Sequence, residues 1–496
     1  MKHAVSVLKF GGTSVGSGER IQRVAQIITN NFQAFKTGNE PFPVIVVSAM
    51  SGITDQLLRI ARYTCSGEYD ACAEELESLQ QKHFAAVEQI ARQSETRAKL
   101  SGDVEAALVG LKQDVTALSQ AAEQGADITL PTAAVASWGE RLSVLLVAAA
   151  VCATGTQAEP VRQEVIITSH PRTDPAQPFG VVVGADPLQE ETRASAQKLI
   201  VPLIEREVVP IAAGFMGRTI TGYVTTLGRN GSDYSASVIG AALDCVEVSI
   251  YTDVDGILTA DPRLVANARL LPHLSYAEAA RLSWFGAKVL HPRTLIPIAH
   301  RGIPVRVRNT FRPHIRGTSV GPVEHTQSSA TAITIRRNLA LITVENTDMF
   351  GAPENAGQVF ALAARVGAAP VAICSSSGHH LSFVIEEQAA DSIIDLLQHD
   401  MGTLGTWAVR SRRDLAACAC IGSGFTADPM SPARAVTALA RERIPIVTQG
   451  ASEQSITLIV ENQDSERALR CLHRDLIAPV IPLVRHQAKE KRHKAL

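Results

Sequence analysis

Aromatic residues are few, with 13 Phe, 6 Tyr and 3 Trp in 496 residues. That scarcity argues against a surface built for stacking bases. Neither sign of charge is in excess, since 47 Lys+Arg against 49 Asp+Glu leave a formal net charge of −2. A protein that coats nucleic acid or an anionic membrane is therefore not expected. Long apolar runs are missing too. The longest, Leu142–Ala153, is interrupted by Ser143 and falls short of the roughly 20 apolar residues of a bilayer-crossing helix. Met1–Phe10 has neither the apolar block nor the cleavage site of a signal peptide; it reads as a first strand, and a cytoplasmic chain is expected. The eight cysteines are scattered, and the one C-x-C pair, Cys418 and Cys420, has no second pair beside it, so reduced thiols are expected. There is no G-x-x-x-x-G-K-[ST], no H-E-x-x-H and no paired CxxC, which excludes a P-loop NTPase and argues against a metal held by protein ligands alone.

What is present suits an ordinary packed core: 46% hydrophobic and 19% charged residues over a length that suggests about three domains. Residues 1–325 alternate short β-branched runs with helical patterns, the signature of an α/β domain with a mostly parallel sheet. Strands are expected at Val5–Phe10, Val44–Ser48, Val208–Ala213, Glu247–Thr252 and Pro304–Val307. Between them, about residues 56–130, turn signals are few, and Leu76, Leu79, Phe84, Val87 and Ile90 recur near helical spacing, so a helical insertion is expected. The polar stretch Arg316–Ser329 reads as a linker. Beyond it the chain repeats itself: Leu339–Val344 corresponds to Leu415–Cys420, and the helix ending at Met401 to the one ending at Leu476. The period suits two copies of a small α+β module, at 335–410 and 411–483, followed by a basic tail at 484–496.

Four clusters carry chemistry. In Lys9–Ser14 (KFGGTS) a strand ends, Gly11 and Gly12 turn the chain, and a helix follows, so backbone N–H groups and a lysine face a prospective anion. The overlapping Gly12–Gly16 spells G-x-S-x-G, which leaves open a serine hydrolase with Ser14 as nucleophile. Thr225–Asp233 (TTLGRNGSD) concentrates glycines, hydroxyls, Arg229, Ser232 and Asp233; Arg229 offers a planar fork for a carboxylate or phosphate. Thr252–Gly256 (TDVDG) and Asp261–Arg263 place acidic groups after a strand, where open α/β sheets bind ligands. Phe285–Pro292 contributes Lys288, and Glu140 stands at the start of an apolar helix.

Together the segments KFGGTS (9–14), SAMSGIT (48–54), WGERLS (138–143), GFMG (214–217), TTLGRNGSDYSA (225–236), TDVDG to TADPR (252–263) and FGAKVLHPRTL (285–295) resemble aspartate kinases of the amino acid kinase family. The resemblance is greatest to the kinase half of the bifunctional aspartokinase–homoserine dehydrogenases. It implies an amino acid kinase-like sandwich followed by two ACT modules, with no dehydrogenase. It also implies transfer of the ATP γ-phosphoryl group to the side-chain carboxylate of L-aspartate, with Mg²⁺ carried mainly by the nucleotide. By the same resemblance Lys9, Gly11 and Gly12 bind the phosphoryl group, Ser48, Ala49, Thr54 and Ser232 line the aspartate site, and Glu140 receives its ammonium. Arg229 grips the α-carboxylate, Asp233 orients the lysine, and Thr252, Asp253, Leu258, Asp261, Arg263 and Lys288 bind nucleotide.

The ACT modules imply threonine or lysine as effector and a homodimer or higher homo-oligomer. Two departures bear on these expectations. Leu258 stands where the family often has an aromatic residue near adenine, and Ile373–His380 lacks the glutamine and glutamate usual in the first module. Gln449, Ser452 and Glu453 keep that pattern in the second module and are the expected effector contacts. A catalytically silent ACT-bearing regulator is the remaining alternative.

Overall fold

The computed structural model describes residues 3–171, 184–228, 230–287, 290–322, 331–346, 352–377, 380–402, 407–422, 425, 428 and 430–477. It forms two packing units, one of Met1–Ile257, Leu270–Ser283 and Lys288–Glu324, the other of Leu258–Arg269, Trp284–Ala287 and His325–Leu496.

The first unit is built on β1 (Val5–Phe10), β2 (Phe42–Val47), β3 (Ala158–Pro160), β4 (Ile167–Thr168), β5 (Val209–Ala213), β6 (Met216–Thr219), β7 (Val224–Thr226), β8 (Glu247–Thr252), β9 (His273–Ser275), β10 (Val305–Asn309) and β11 (Thr318–Gly321). Eight of these form one sheet in the order β3-β5-β2-β1-β8-β10-β11-β9, and β4, β6 and β7 form a smaller one. In the large sheet every pairing is parallel except β10 with β11. Every residue of β1 (VSVLKF) and β2 (FPVIVV) is buried. Such uninterrupted runs are what parallel strands covered on both faces require.

The helices of this unit are α1 (Gly18–Lys36), α2 (Ile53–Ser66), α3 (Tyr69–Ile90), α4 (Ser94–Glu123), α5 (Thr129–Ala136), α6 (Trp138–Cys152), α7 (Gln189–Leu199), α8 (Val201–Glu205), α9 (Gly231–Ala242), α10 (Tyr276–Trp284) and α11 (Pro292–Ala299). Helix α1 starts where the Ser17 hydroxyl accepts the Arg20 N–H, and it buries Ile21, Val24, Ala25, Ile28 and Phe32. Helices α2–α4 fall in the stretch where a helical insertion is expected, and α5 lies largely beyond it. Two expectations need correction. Thr129–Cys152, spanning α5 and α6, is long and apolar enough to cross a membrane, but 72% of its apolar window is buried within the protein, so it is a core element. The stretch read as a linker contains β11, which pairs antiparallel with the preceding β10 and parallel with the more distant β9.

The second unit runs β12 (Ala332–Asn346), α12 (Ala352–Arg365), β13 (Ala372–Ser377), β14 (His380–Glu386), α13 (Ala390–Gly402), then β15 (Trp407–Ile421), α14 (Met430–Arg441), β16 (Thr448–Ser452), β17 (Ser455–Glu461) and α15 (Ser465–Leu476). The two halves repeat the same order, as the internal repeat predicts. They are interlocked, however. Strands β12 and β15 pair antiparallel from Ala332↔Ile421 to Asn346↔Trp407. One end of β12 gives Ile333 to a core with Cys418, Cys420, Leu458 and Leu472, while its other end gives Ile342 and Val344 to a core with Phe383 and Leu397. A boundary at 410/411 thus falls inside β15. Ala260 and Val265, within the region read as catalytic, also pack into the first of these cores.

Candidate active site

The C-terminal ends of β1 and β2 open onto a cleft of about 310 Å³ in the first unit, the edge at which open parallel sheets bind ligands. It is lined by Lys9 from β1, Ser48 after β2, Thr54, Asp55 and Leu58 from α2, Ala136 and Glu140 around α6, Phe215, and the turn into α9 at Gly228 and Asn230–Asp233.

Lys9 is buried, and its Nζ lies 2.5 Å from Asp233 Oδ1. The carboxylate sits in the first turn of α9, so a helix N-terminus, an ammonium and a carboxylate share one place. Ser232 Oγ donates to Ser48 Oγ at 3.1 Å, joining the α9 turn to the loop after β2. That loop approaches two glycines closely: a Cβ on Gly12 would stand 3.0 Å from the Ala49 carbonyl oxygen, and one on Gly139 would stand 2.6 Å from the Ala49 Cβ.

Glu140 is 1% exposed. Its Oε1 accepts the Ala49 N–H at 3.0 Å, while its Oε2 is buried with no hydrogen-bond partner among the described residues. Burial pushes this carboxyl up to about 8, against the opposing pull of the Ala49 amide and the Lys9 charge. A neutral acid beside a cleft is thereby poised to ionise for an incoming cation.

Two non-glycine residues of the lining hold left-handed backbones, Phe215 at φ +63° and Asn230 at φ +57°. Asparagine adopts this region readily; an aromatic residue does so at a cost that clusters at ligand sites. Behind the α9 turn, Arg293 donates to the Leu227 carbonyl and to Asp186 Oδ1, each at 3.0 Å, with its guanidinium 4.6 Å from the Tyr234 ring centroid.

Of the residues expected from sequence, the fold brings together Lys9, Ser48, Thr54, Glu140, Ser232 and Asp233; Ala49 takes part through its N–H. A Cβ on Gly11 would stand 3.3 Å from Lys9 Nζ, which places this glycine beside the lysine. Arg229, Lys288, part of the polar turn of the first module (378–379) and the basic tail lie outside the described residues. Thr252 and Asp253 lie at and just after the end of β8, where the threonine hydroxyl donates to Asp253 Oδ1 at 3.1 Å. Leu258, Asp261 and Arg263 belong to the second unit. There Arg263 pairs with Asp261 at 2.5 Å and holds its carboxyl below the usual range. Gln449 and Ser452 lie on β16 and Glu453 just beyond it, all exposed.

Ser14 is fully buried; its Oγ shares a 2.6 Å hydrogen bond with Thr310 Oγ1. With no exposure, and no place in the lining of the cleft, it is not presented as a nucleophile, which favours the kinase expectation over the hydrolase alternative. Asp55, Leu58 and Phe215 were missed. Asp55 and Leu58 lie one and four residues after Thr54, within a turn or so of the same helix, so helical spacing from Thr54 already pointed to Leu58.

A buried lysine–carboxylate pair at a helix N-terminus, on the carboxyl edge of a parallel sheet, defines an anion-handling α/β site. A model of the amino acid kinase family matches residues 4–309, and an ACT domain model matches residues 419–476. The chain belongs to the amino acid kinase family. It is 32% identical over 488 residues to the chloroplastic bifunctional aspartokinase/homoserine dehydrogenase 2 of Arabidopsis thaliana, covering 94% of this chain and 50% of that protein. The chain thus spans about half the length of these bifunctional relatives. It is 30% identical over 483 residues to Aspartokinase 1, chloroplastic, of the same plant, covering 95% of this chain and 80% of that one. Among solved structures, E. coli aspartokinase III in complex with aspartate and ADP superposes with a TM-score of 0.75 at 28% identity, over 95% of this chain and all of that one.

Proposed function

We propose that this chain is an aspartate kinase, transferring the γ-phosphoryl group of ATP to the side-chain carboxylate of L-aspartate. The observation that carries the reading is Glu140: a buried carboxyl with one oxygen held by Ala49 and the other unpartnered, lining the cleft that also holds Lys9. An α-ammonium satisfies that oxygen and leaves the distal carboxylate free to extend along the cleft. E. coli aspartokinase III was solved with both aspartate and ADP, which supports this pairing of ligands.

The chemistry needs little proton transfer. A carboxylate is ionised at neutral pH, so the carboxylate oxygen bonds to phosphorus as the bond to the ADP oxygen breaks, and no general base is required. The protein's work is to hold two anions in line and neutralise their repulsion. Lys9, steadied by Asp233, supplies one positive charge, and the amides of Gly11 and Gly12 and the start of α9 add oriented dipoles. Arg229 grips the α-carboxylate, Ser48, Thr54 and Ser232 orient the substrate, and Thr252, Asp253, Leu258, Asp261, Arg263 and Lys288 bind nucleotide, roles supported by the family resemblance. Mg²⁺ would enter as a companion of the triphosphate, with Asp233, the carboxylate beside Lys9, the side chain placed to help hold it. Held there with the phosphates, such an ion would screen their charge.

The product, 4-phospho-L-aspartate, is an activated acyl phosphate suited to the first step towards lysine, threonine and methionine. The ACT modules would bring feedback by threonine or lysine and assembly into a homodimer or larger homo-oligomer. A cytoplasmic setting is part of the same proposal. Aspartate-dependent ADP release, with and without threonine and lysine, tests the reading; no aspartate-dependent turnover would reject it.

A further inference from the structure

The chain leaves the first unit after Ile257 and returns to it at Leu270; the twelve residues between, Leu258–Arg269, pack entirely within the second unit. Several contacts hold them there. Ala260 and Val265 are buried with Leu469 and Leu472 of α15. The Ile333 N–H of β12 donates to the Thr259 carbonyl at 2.8 Å, and Arg470 Nε of α15 donates to the Leu264 carbonyl at 3.0 Å. Arg269 Nη2 donates to the Ile477 carbonyl, just past α15, at 2.6 Å.

The central contact is polar and buried. Thr259 Oγ1 and His473 Nε2 are 2.9 Å apart, with the two residues 4% and 2% exposed. The same hydroxyl oxygen accepts the Arg269 N–H at 3.0 Å. The hydroxyl can also give its own proton to His473 Nε2 or accept one from it, according to the imidazole tautomer. Burial and the nearby Arg269 charge both lower the histidine's proton affinity, which favours the neutral ring. The opposite side of the segment is wet: Asp261 and Arg263 pair with each other, and the arginine side chain is 84% exposed.

We propose that His473 is a positioning residue for the nucleotide. Through Thr259 it fixes the segment that presents Asp261 and Arg263, so that ATP affinity reports on how α15 of the second ACT module is packed. The inference rests on reading Asp261 and Arg263 as nucleotide contacts. It assigns to the module's last helix a role in the transfer reaction that needs no bound effector.

The test is steady-state kinetics on the full chain with ATP and aspartate varied separately. His473→Leu and Thr259→Val should each raise the KM for ATP about two- to tenfold, the span of one net hydrogen bond, and leave the KM for aspartate within about twofold. The double variant should be no worse than the poorer single one, because both remove the same bond. His473→Gln, whose amide oxygen can accept from Thr259, should recover most of the loss. Arg263→Ala separates the two readings. If it raises the KM for ATP while His473→Leu and Thr259→Val do not, the positioning role alone is rejected. If none of the three changes it, the nucleotide assignment of the segment is rejected and the inference goes with it. Equal loss for both substrates also overturns the role, and if His473→Leu fails to fold, Thr259→Val against Thr259→Ser decides.

Discussion

The Ala49 N–H donates to Glu140 Oε1 across 91 positions of sequence, and among the described residues it is the one hydrogen bond that the buried carboxyl receives from another residue. A single amide cannot replace the hydration of a whole carboxylate, so burial pushes the Glu140 carboxyl up to about 8. The fold keeps this end of the site neutral until a cation arrives, and two consequences can be measured.

The first concerns stability. Glu140 ionises at about 8 in the folded protein and near the ordinary 4.5 when unfolded. Below 4.5 both states hold the proton and the preference for the fold is fully present; between 4.5 and 8 only the folded state holds it, so stability is lost as pH rises. The span corresponds to on the order of 4–5 kcal/mol. Glu140→Gln should abolish this slope: its urea midpoint should match the parent near pH 5 and exceed it at pH 8.5. Aspartate KM should rise about 10- to 100-fold, as expected for loss of a hydrogen bond to a charged group. A parent-minus-variant difference that is constant across pH would sink the assignment.

The second concerns binding. At pH 7 the empty site carries a mostly protonated Glu140, and an ammonium ligand expels that proton. Aspartate affinity should therefore climb between pH 6 and 8, approaching tenfold per unit, and flatten above about 8. Titration calorimetry in buffers of different ionisation enthalpy should show close to one proton released at pH 7, and none for Glu140→Gln. Zero release by the parent would contradict a carboxyl–ammonium contact.

A third prediction comes from the insertion. His83 on α3 is fully buried; its Nδ1 bonds the Leu79 carbonyl oxygen at 2.7 Å and its Nε2 has no partner among the described residues. Burial, aided by the Lys82 charge, lowers it to about 4. Between about 6.5 and 4 the unfolded chain takes up a proton that the fold refuses, so stability falls as pH falls, by up to about 3 kcal/mol. Thermal melts of His83→Phe and the parent at pH 7 and 4.5 should show a smaller acid loss in the variant. Parallel losses would show that other groups govern acid lability.

How much of this was visible beforehand follows from where the information lies. The strand β1, the glycine turn after Lys9, the helical character of α2–α4 and the repeated module order are written in local patterns and were legible. Strand β11 was not, because Thr318–Gly321 is short and becomes a strand only through pairing with residues 305–307 and 273–275. The Gly12–Gly16 segment spelled a hydrolase motif, yet the Ser14 hydroxyl turns inward to Thr310, a partner 296 residues away. Pairings at that range leave no trace in a window of a few residues. The same is true of Thr259 and His473, and of the β12–β15 exchange, which a repeat offset alone represents as two separate copies.

Arg293 supplies the last prediction. Among the described residues, its side chain bonds to none of the side chains that line the cleft. It holds the Leu227 carbonyl, one residue before the Gly228 turn, while pairing with Asp186 and stacking on Tyr234. Three partners are met at once because a guanidinium is planar, forked and permanently charged; an ammonium can meet one of the acceptors but not the whole set. Arg293→Lys should therefore behave almost as poorly as Arg293→Met, each raising aspartate KM about tenfold with a smaller change in kcat, the scale of one charge-assisted hydrogen bond. Unfolding midpoints should move much less than the kinetics, since the contact orders a turn rather than a core. Full activity in Arg293→Lys would mean that charge alone suffices at this position and that the fork geometry behind the α9 turn contributes nothing to aspartate binding.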